Sequence, residues 1–438
     1  MTEPSPGFVR LFREASPYIY AHRGRTFVIV FGGEALADAG FIHLVHDLVL
    51  LSSMGIRMVV VHGAEPQIDE RFQVSGAGLH YVDDIRVTDP QAMECVKDAV
   101  GSVRVDIEAI LSQGLANSPM AGARIRVTSG NFITARPLGI RAGTDYGYTG
   151  IVRRVDTEAI NTHLAAGQIV LVSPIGYSPT GEAFSISEEE VGAAVAVELR
   201  AAKLIYLTEG RRLLDDDGAL LRELTVQELG RLLDRRVDIV GEERAVLKLV
   251  SGACQQGVQR VHLLERRMDG ALLRELFTRD GAGTMVSGTS FDAMRTATID
   301  DVVGIIEIIG PLEADGTLVR RPRKKLEMEI GQFTVIERDG AIIGCAAYYP
   351  YTAENVVELA CLAVNPDYRR GGYGQALLDR LEQMARQAGI GRMFVLTTQT
   401  AHWFIERGFV QATLEALPVE RKALYNYQRN SKVLIKVL

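Results

Sequence analysis

The sequence predicts an α/β protein, and three observations carry that prediction. Apolar, β-branched runs such as Thr26–Phe31 recur between segments of helical periodicity over about the first 290 residues. A later apolar run, Val356–Val364, leads through a glycine-rich turn into an amphipathic segment. With 438 residues, 47% of them hydrophobic and 24% charged, the chain can build two or three packed domains and shows no disordered or fibrous bias.

Near the N-terminus, Phe8, Leu11, Phe12, Ala15 and Ile19 form an apolar stripe at helical spacing, which ordinarily packs on its own domain. The run Thr26–Phe31 stops at Gly32-Gly33, and residues 57–63 repeat the pattern after a helical segment. Both read as buried parallel strands of a βαβ arrangement. Further strands are expected at residues 125–128, 169–172, 204–207 and 261–264, with helices between them. Ser187 with Glu190 three residues on predicts a capping box ahead of Val191, Ala194, Val195 and Leu199. This alternation predicts an α/β sandwich around a mostly parallel sheet.

In the C-terminal third, Arg369-Arg370-Gly371-Gly372-Tyr373-Gly374 follows the strand Val356–Val364. Gly371, Gly372 and Gly374 carry no Cβ, so backbone N–H groups can close on an anion. A helix opening near Gln375 adds unpaired amides and its positive dipole end. That arrangement suits a pyrophosphate, although such turns taken alone are structural loops about as often as ligand sites. Leu377, Leu378, Leu381, Met384 and Ala385 recur at helical spacing, and Gly389 supplies the stop.

Several classes are disfavoured. Residues 1–25 carry charges and prolines without a signal-peptide core, and no later run is long enough to span a bilayer, so a cytoplasmic location is expected. Cys95, Cys254, Cys345 and Cys361 lack metal-ligand or paired spacing, which implies reduced thiols and no zinc site. A net charge of −7 argues against nucleic acid as the main partner.

Arg369-x-x-Gly372-x-Gly374, with Arg295 to Asp301 before it and Trp403 to Phe409 after it, resembles the acyl-CoA signature of the GCN5-related N-acetyltransferase superfamily. The resemblance implies an α/β acetyltransferase domain over residues 291–438, with acetyl-CoA as cosubstrate and no metal. It places cofactor contacts at Leu362, Val364, Arg369, Arg370, Gly371, Gly372 and Gly374.

Within residues 1–290, Val30 to Leu36, Val61 to Ala64 and Lys203–Thr208 resemble the amino-acid kinase family, especially acetylglutamate kinase. The departures are chemical. The family's lysine two residues before the paired glycines is Val30 here, and a second lysine falls on Val246, with Lys248 nearby. The glycine triplet after the second strand has become Gly63-Ala64-Glu65. A carboxylate in a phosphate loop and an apolar residue in place of its cation both disfavour ATP, which implies a kinase fold without kinase chemistry. Residues 262–284 resemble the arginine-binding region of arginine-sensitive acetylglutamate kinases, which implies an L-arginine site at Tyr18, Lys203, His262, Glu275, Gly281 and Gly283. A guanidinium wants a carboxylate and backbone carbonyls, which Glu275 and the 281–283 turn would offer. Without the family, a solvated Glu275 and a satisfied strand-end His262 are equally good readings. In those kinases the N-terminal helix joins dimers into a hexamer, so a homo-oligomer, possibly a hexamer, is expected.

The two domains in this order are similar to the bacterial-type N-acetylglutamate synthase family. That resemblance implies acetyl transfer to the α-amine of L-glutamate, the first step of arginine biosynthesis, under feedback by L-arginine. The reaction needs a base for the α-ammonium and a donor for the departing thiolate. Glu358 is the expected base, because an apolar strand should raise a carboxylate's proton affinity; a solvent-facing edge glutamate is the alternative. Many superfamily members use a tyrosine about where this chain has Trp403 and Phe404, and the synthase pattern puts a hydroxyl at Thr397 instead. Thr397 reads equally as a plain strand-end threonine. For the two carboxylates of glutamate the resemblance supplies Arg320, Arg321, Arg429 and Ser431, with most of the charge run 320–325 solvated. The backbone around Cys361 and Leu362 is expected to hold substrate and thioester, with the Cys361 thiol itself no nucleophile. Alternatives are a bifunctional synthase and kinase, a ligand-binding regulator, and a protein-lysine acetyltransferase.

Overall fold

The computed structural model describes residues 6–438 apart from 76–77, 79, 114–119, 211, 280, 289–292, 339–340, 370–371 and 428. The chain divides into two compact units, Met1–Thr289 and Ser290–Leu438.

The first unit is built on an eight-stranded sheet. Its order is Glu223–Thr225, Thr284–Ser287, Arg260–Glu265, Lys203–Thr208, Thr26–Phe31, Arg57–His62, Ile169–Val172 and Val127–Ser129. All neighbours run parallel except Arg260–Glu265 with Thr284–Ser287. Val28, Val30, Val59, Val61, Leu204 and Tyr206 enter the core on one face. Phe27, Ile29, Phe31, Met58, Val60, Ile205 and Leu207 enter the core on the other. Alternate residues thus meet two separate cores, which is why these strands read as unbroken apolar runs.

The strand expected at 125–128 lies at Val127–Ser129. Ser187 caps the helix Glu188–Glu198 by accepting from the Glu190 amide at 3.2 Å. The Glu190 carboxylate does not complete the capping box; it accepts from the Val152 amide at 2.8 Å. A tertiary acceptor site thus outcompetes the local one. Val152 belongs to a second, four-stranded sheet ordered Ala183–Ser185, Ile175–Tyr177, Ile133–Pro137, Gly150–Val155. Its short, half-polar strands carry little periodicity, and sequence reading did not separate them from loops.

The N-terminal helix Pro6–His22 carries the expected stripe, although the Phe8 side chain lies outside the described residues. Leu11 and Phe12 remain 58% and 57% exposed. The last helical residue, His22, is buried and hydrogen-bonds the Leu276 carbonyl through Nε2 at 2.9 Å.

The second unit holds a seven-stranded sheet. Its order is Ala293–Thr296, Phe333–Arg338, Ala341–Tyr351, Val356–Val364, Arg392–Thr397, Lys432–Val437 and Val410–Ala412. One pair, Val356–Val364 with Arg392–Thr397, is parallel, and a parallel pair requires a crossover. The helix Tyr373–Gln387 provides it, starting two residues before the expected Gln375. Leu377, Leu378, Leu381 and Ala385 are fully buried, and Gly389 ends the helix region at φ +71°. The parallel ladder closes at Glu358 opposite Phe394. Past that pair the two strands part, and the gap opens beside the glycine turn.

Candidate active site and effector site

The two expected catalytic residues, Glu358 and Thr397, lie on the strands Val356–Val364 and Arg392–Thr397 that border the gap. Glu358 is 6% exposed, and its carboxylate receives two hydrogen bonds from Arg421, at 2.7 Å from Nε and 3.0 Å from Nη2. The apolar strand expected around Glu358 is there, and a guanidinium that was not expected meets its carboxylate. The short helix Val419–Ala423 delivers a bidentate guanidinium to it.

Of the adjacent arginines, Arg320 is exposed, and Arg321 turns inward among Cys361, Tyr349 and Glu358. Burial would lower the proton affinity of the Arg321 guanidinium, and those neighbours outweigh it and raise it. Arg323 pairs with Glu327 on the helix Arg323–Glu329, the solvated role expected for the rest of the run. The Arg429 guanidinium donates to the Thr317 carbonyl and is lowered in proton affinity, first by burial and then by Arg321. Two guanidinium groups close enough to feel each other make a carboxylate-binding setting. Ser431, half-buried, accepts from Tyr425 Oη through its carbonyl at 2.7 Å.

Cys361 has φ +51°, a left-handed conformation for a residue with a side chain, beside the register shift between Cys345 and Ala347. A bulge of this kind re-aims backbone groups, here toward the strand gap. Burial pushes the Cys361 thiol up to about 11, so it stays protonated, as a residue that supplies its backbone and not a nucleophile would. Leu362 and Val364 pack on the core that Leu377 anchors.

At the glycine turn, Gly372 caps the helix from φ +73°, and the first-turn amides point out of its end. A Cβ on Gly374 would touch Trp403 Cζ2 at 3.4 Å. Trp403, on the helix Ala401–Ile405, stacks on Arg407 at 3.8 Å, and Arg407 Nε donates to Gln375 Oε1 at 2.6 Å, which ties that helix to the cofactor helix Tyr373–Gln387. Arg369 adjoins the turn, and Arg370 and Gly371 lie outside the described residues. The bare turn, the helix end and the parted strands fit an acyl-CoA. Thr397 is buried; its Oγ1 accepts from the Thr400 amide at 3.0 Å and bonds Thr400 Oγ1 at 2.9 Å.

In the first unit the expected effector residues also converge. Lys203 Nζ donates to His262 Nε2 at 3.1 Å, and His262 Nδ1 donates to Glu275 Oε1 at 2.6 Å. An ammonium can only donate, so these partners assign the proton to Nδ1. Burial, then Lys203, lowers His262 to about 4 and keeps it neutral. Glu275 Oε2 accepts from the amides of Ala282 and Gly283 at 2.6 and 3.0 Å. Burial alone would raise Glu275; His262 and the two amides outweigh it and hold the carboxyl at about 2. Glu275 therefore shapes the 281–283 turn as well as offering charge. Gly281 is left-handed at φ +60°, and a Cβ there would lie 2.5 Å from Glu275 Oε2. A Cβ on Gly283 would lie 2.2 Å from the Leu263 carbonyl. Tyr18 stands 6.4 Å from the His22 ring, whose own neighbours are Phe27 and Phe277.

Residues 25–265 match the amino acid kinase family, and residues 310–409 match the acetyltransferase (GNAT) family. An amino-acid acetyltransferase of Ectopseudomonas mendocina is 52% identical over 98% of this chain and 99% of its own length. Another, of Pseudomonas putida, is 52% identical over 99% of this chain and all of its own. The N-acetylglutamate synthase of Neisseria gonorrhoeae, solved with coenzyme A and L-arginine, is 39% identical and superposes with a TM-score of 0.90, covering 98% of this chain and 99% of its own. The same enzyme solved with coenzyme A and N-acetyl-glutamate gives 0.63 at the same identity and coverage. The chain belongs to the amino-acid acetyltransferase family.

As a member of that family it pairs an amino-acid kinase-like unit with a GNAT unit and takes its acetyl group from acetyl-CoA. The kinase-like loops of this acetyltransferase face carboxylates. Val30 is 2% exposed and fills the groove opened by Gly192, where a Cβ would lie 2.3 Å from Val30 Cγ2. A Cβ on Gly32 would meet the Glu34 carboxylate at 2.1 Å, and one on Gly63 would meet Glu188 at the same distance. Glu188 is pushed well above the usual carboxylate range by burial and then by Glu189, Glu65 and Glu34. Glu65 is held by Arg86 at 2.9 Å and by Tyr81 at 2.6 Å. Val246 is buried and Lys248 exposed. Among the described residues no cluster of His, Cys, Asp or Glu is placed to hold a metal, and no helix is long and apolar enough to cross a membrane.

Sequence reasoning missed Arg421 in this acetyltransferase. It lies in the charge run Glu420-Arg421-Lys422, which looks like any solvated helix, and only folding brings it to Glu358.

Proposed function

We propose that the protein moves the acetyl group of acetyl-CoA to the α-amine of L-glutamate, and that its kinase-like unit binds L-arginine as an effector without phosphoryl transfer. The observation that carries this reading is the convergence of Arg321 and Arg429 beside Glu358 at the mouth of the strand gap. A dicarboxylate amino acid offers both guanidinium groups a partner and brings its ammonium to the glutamate. Complexes of the Neisseria synthase with N-acetyl-glutamate and with L-arginine support the same assignment.

The steps follow from the residues. Glu358, oriented by Arg421, takes a proton from the α-ammonium. The freed amine attacks the thioester carbonyl, whose oxygen is met by backbone N–H groups around Cys361 and Leu362. As the C–S bond breaks, the nitrogen gives up its second proton to the departing thiolate, which leaves as the CoA thiol toward Thr397. The Thr400 amide occupies one lone pair of the Thr397 oxygen, and when the Thr400 hydroxyl donates as well the Thr397 proton is left to face the sulfur. The pyrophosphate rests on the turn at Arg369, Gly372 and Gly374, with Leu362 and Val364 along the pantetheine arm. Ser431 flanks the acceptor site, and Arg320 stays in solvent.

Tyr18, Lys203, His262, Glu275, Gly281 and Gly283 form the L-arginine site in this reading, with residues 1–290 as sensor and 291–438 as catalyst. The exposed Leu11 and Phe12 support a homo-oligomer built through the N-terminal helix. The test is thiol release from acetyl-CoA with L-glutamate, with and without L-arginine, beside ADP release from ATP with acetylglutamate. Glutamate-dependent CoA release without ADP is expected; ADP formation overturns the loss of kinase chemistry, and silence in both assays overturns the whole reading.

A further inference from the structure

Among the described buried side-chain atoms of the second unit, three have no hydrogen-bond partner: Tyr348 Oη, Thr398 Oγ1 and Arg429 Nε. Buried donors left without partners are rare in folded proteins, and each calls for strain, a water, an ion or a functional partner to account for it. Tyr348 stands opposite Leu359, on the sheet face that packs against the cofactor helix. The other two belong elsewhere.

Strand pairing locates them. Phe394 lies beside Glu358 in parallel register and opposite Ile435; Leu396 lies opposite Val433. Alternate residues share a face, so Phe394 and Leu396 point to the side of the sheet that carries Glu358. Thr398 continues that alternation one residue past the strand end, and the next position on the antiparallel partner is Ser431, two residues from Arg429. Thr397, by the same count, shares its face with Val395 and Met393 and is engaged by Thr400. Adjacent hydroxyls thus face different groups.

We propose that Thr398 is a substrate-positioning residue: its hydroxyl and Arg429 Nε together bind one carboxylate of the acceptor amino acid. A carboxylate only accepts, and its two oxygens match one O–H and one N–H donor converging from neighbouring strand ends. Thr398 completes the guanidinium pair and fixes the acceptor's position across the gap from the thioester. Thr397 keeps the thiolate side. The assignment rests on L-glutamate being the acceptor.

The test compares Thr398→Val, which removes the hydroxyl at constant shape, with Thr398→Ser, which keeps it. KM for L-glutamate is measured at saturating acetyl-CoA, kcat beside it, and acetyl-CoA binding by calorimetry. Thr398→Val is expected to raise the glutamate KM about 10-fold or more, the loss of a hydrogen bond to a charged group, while acetyl-CoA affinity holds and Thr398→Ser restores KM. An unchanged glutamate KM in Thr398→Val overturns the proposal and leaves the hydroxyl to an ordered water. Equal loss of acetyl-CoA binding in both variants also overturns it, since that outcome marks a packing role. If the unaltered enzyme releases no CoA with L-glutamate, the acceptor reading itself has failed; activity with an indifferent Thr398→Val sinks only this inference.

Discussion

Glu358 and Arg421 show what a single residue's setting does to its chemistry. The guanidinium fixes both carboxylate oxygens, so the base is aimed before substrate arrives. Glu358→Gln should lower kcat on the order of 10²- to 10⁴-fold with acetyl-CoA binding nearly intact; unchanged turnover would remove Glu358 from the base role. Arg421→Met should lower the unfolding free energy, because it strands a buried carboxylate. The double variant should lose less than the two single losses combined, with a coupling of about 0.5–3 kcal/mol in denaturant titrations. Strict additivity would mean that the pair is incidental.

Elements impose the next constraint. The turn at 281–283 owes its shape to the Glu275 carboxylate and to the lack of a Cβ at Gly283, which would strike the Leu263 carbonyl. That obstacle is backbone of a core strand and has no freedom to yield. Gly283→Ala is therefore expected to cost about 2 kcal/mol or more in the first unit and to abolish the response to L-arginine, with acetyl transfer retained in its absence. A variant that keeps normal inhibition or activation by L-arginine would place the effector elsewhere. The strand ending at Val30 carries a second prediction. Val30→Lys restores the missing cation without removing Glu34, Glu65 and Glu188 from the loops around it, so no ADP should form with ATP and acetylglutamate. ADP release from that variant would show that one lysine was all the fold had lost.

Across the whole molecule, the two units have separate cores, so residues 293–438 should fold alone and bind acetyl-CoA, as calorimetry on the isolated segment would reveal. His22, His62 and His262 are each buried and lowered to about 4, chiefly by burial. Between about 6.5 and 4 the unfolded chain binds protons that these native histidines refuse. Their contribution, on the order of 3 kcal/mol each, is full above 6.5 and lost as pH falls toward 4. Asp47 works in the opposite sense, since burial and Asp269 raise it to about 6 and its contribution is lost as pH rises. Histidine proton resonances followed by NMR should show three rings staying neutral down to about pH 4; titration of all rings near 6.5 would contradict the burial.

Amino-acid order alone was enough to specify the α/β alternation, the five long parallel strands of the first unit, the glycine turn with its helix, and the missing kinase lysine at Val30. Each is a local pattern of period, composition or spacing, and burial on both faces enforces it. The roles of neighbouring residues were decided by tertiary structure alone. Arg321 turns inward while Arg320 stays in solvent, Glu190 abandons its own helix cap for Val152, and Arg421 leaves a nondescript charge run to hold Glu358. Adjacent side chains leave a strand or turn in different directions, and a charge settles on whichever partner the distant chain brings within about 3 Å.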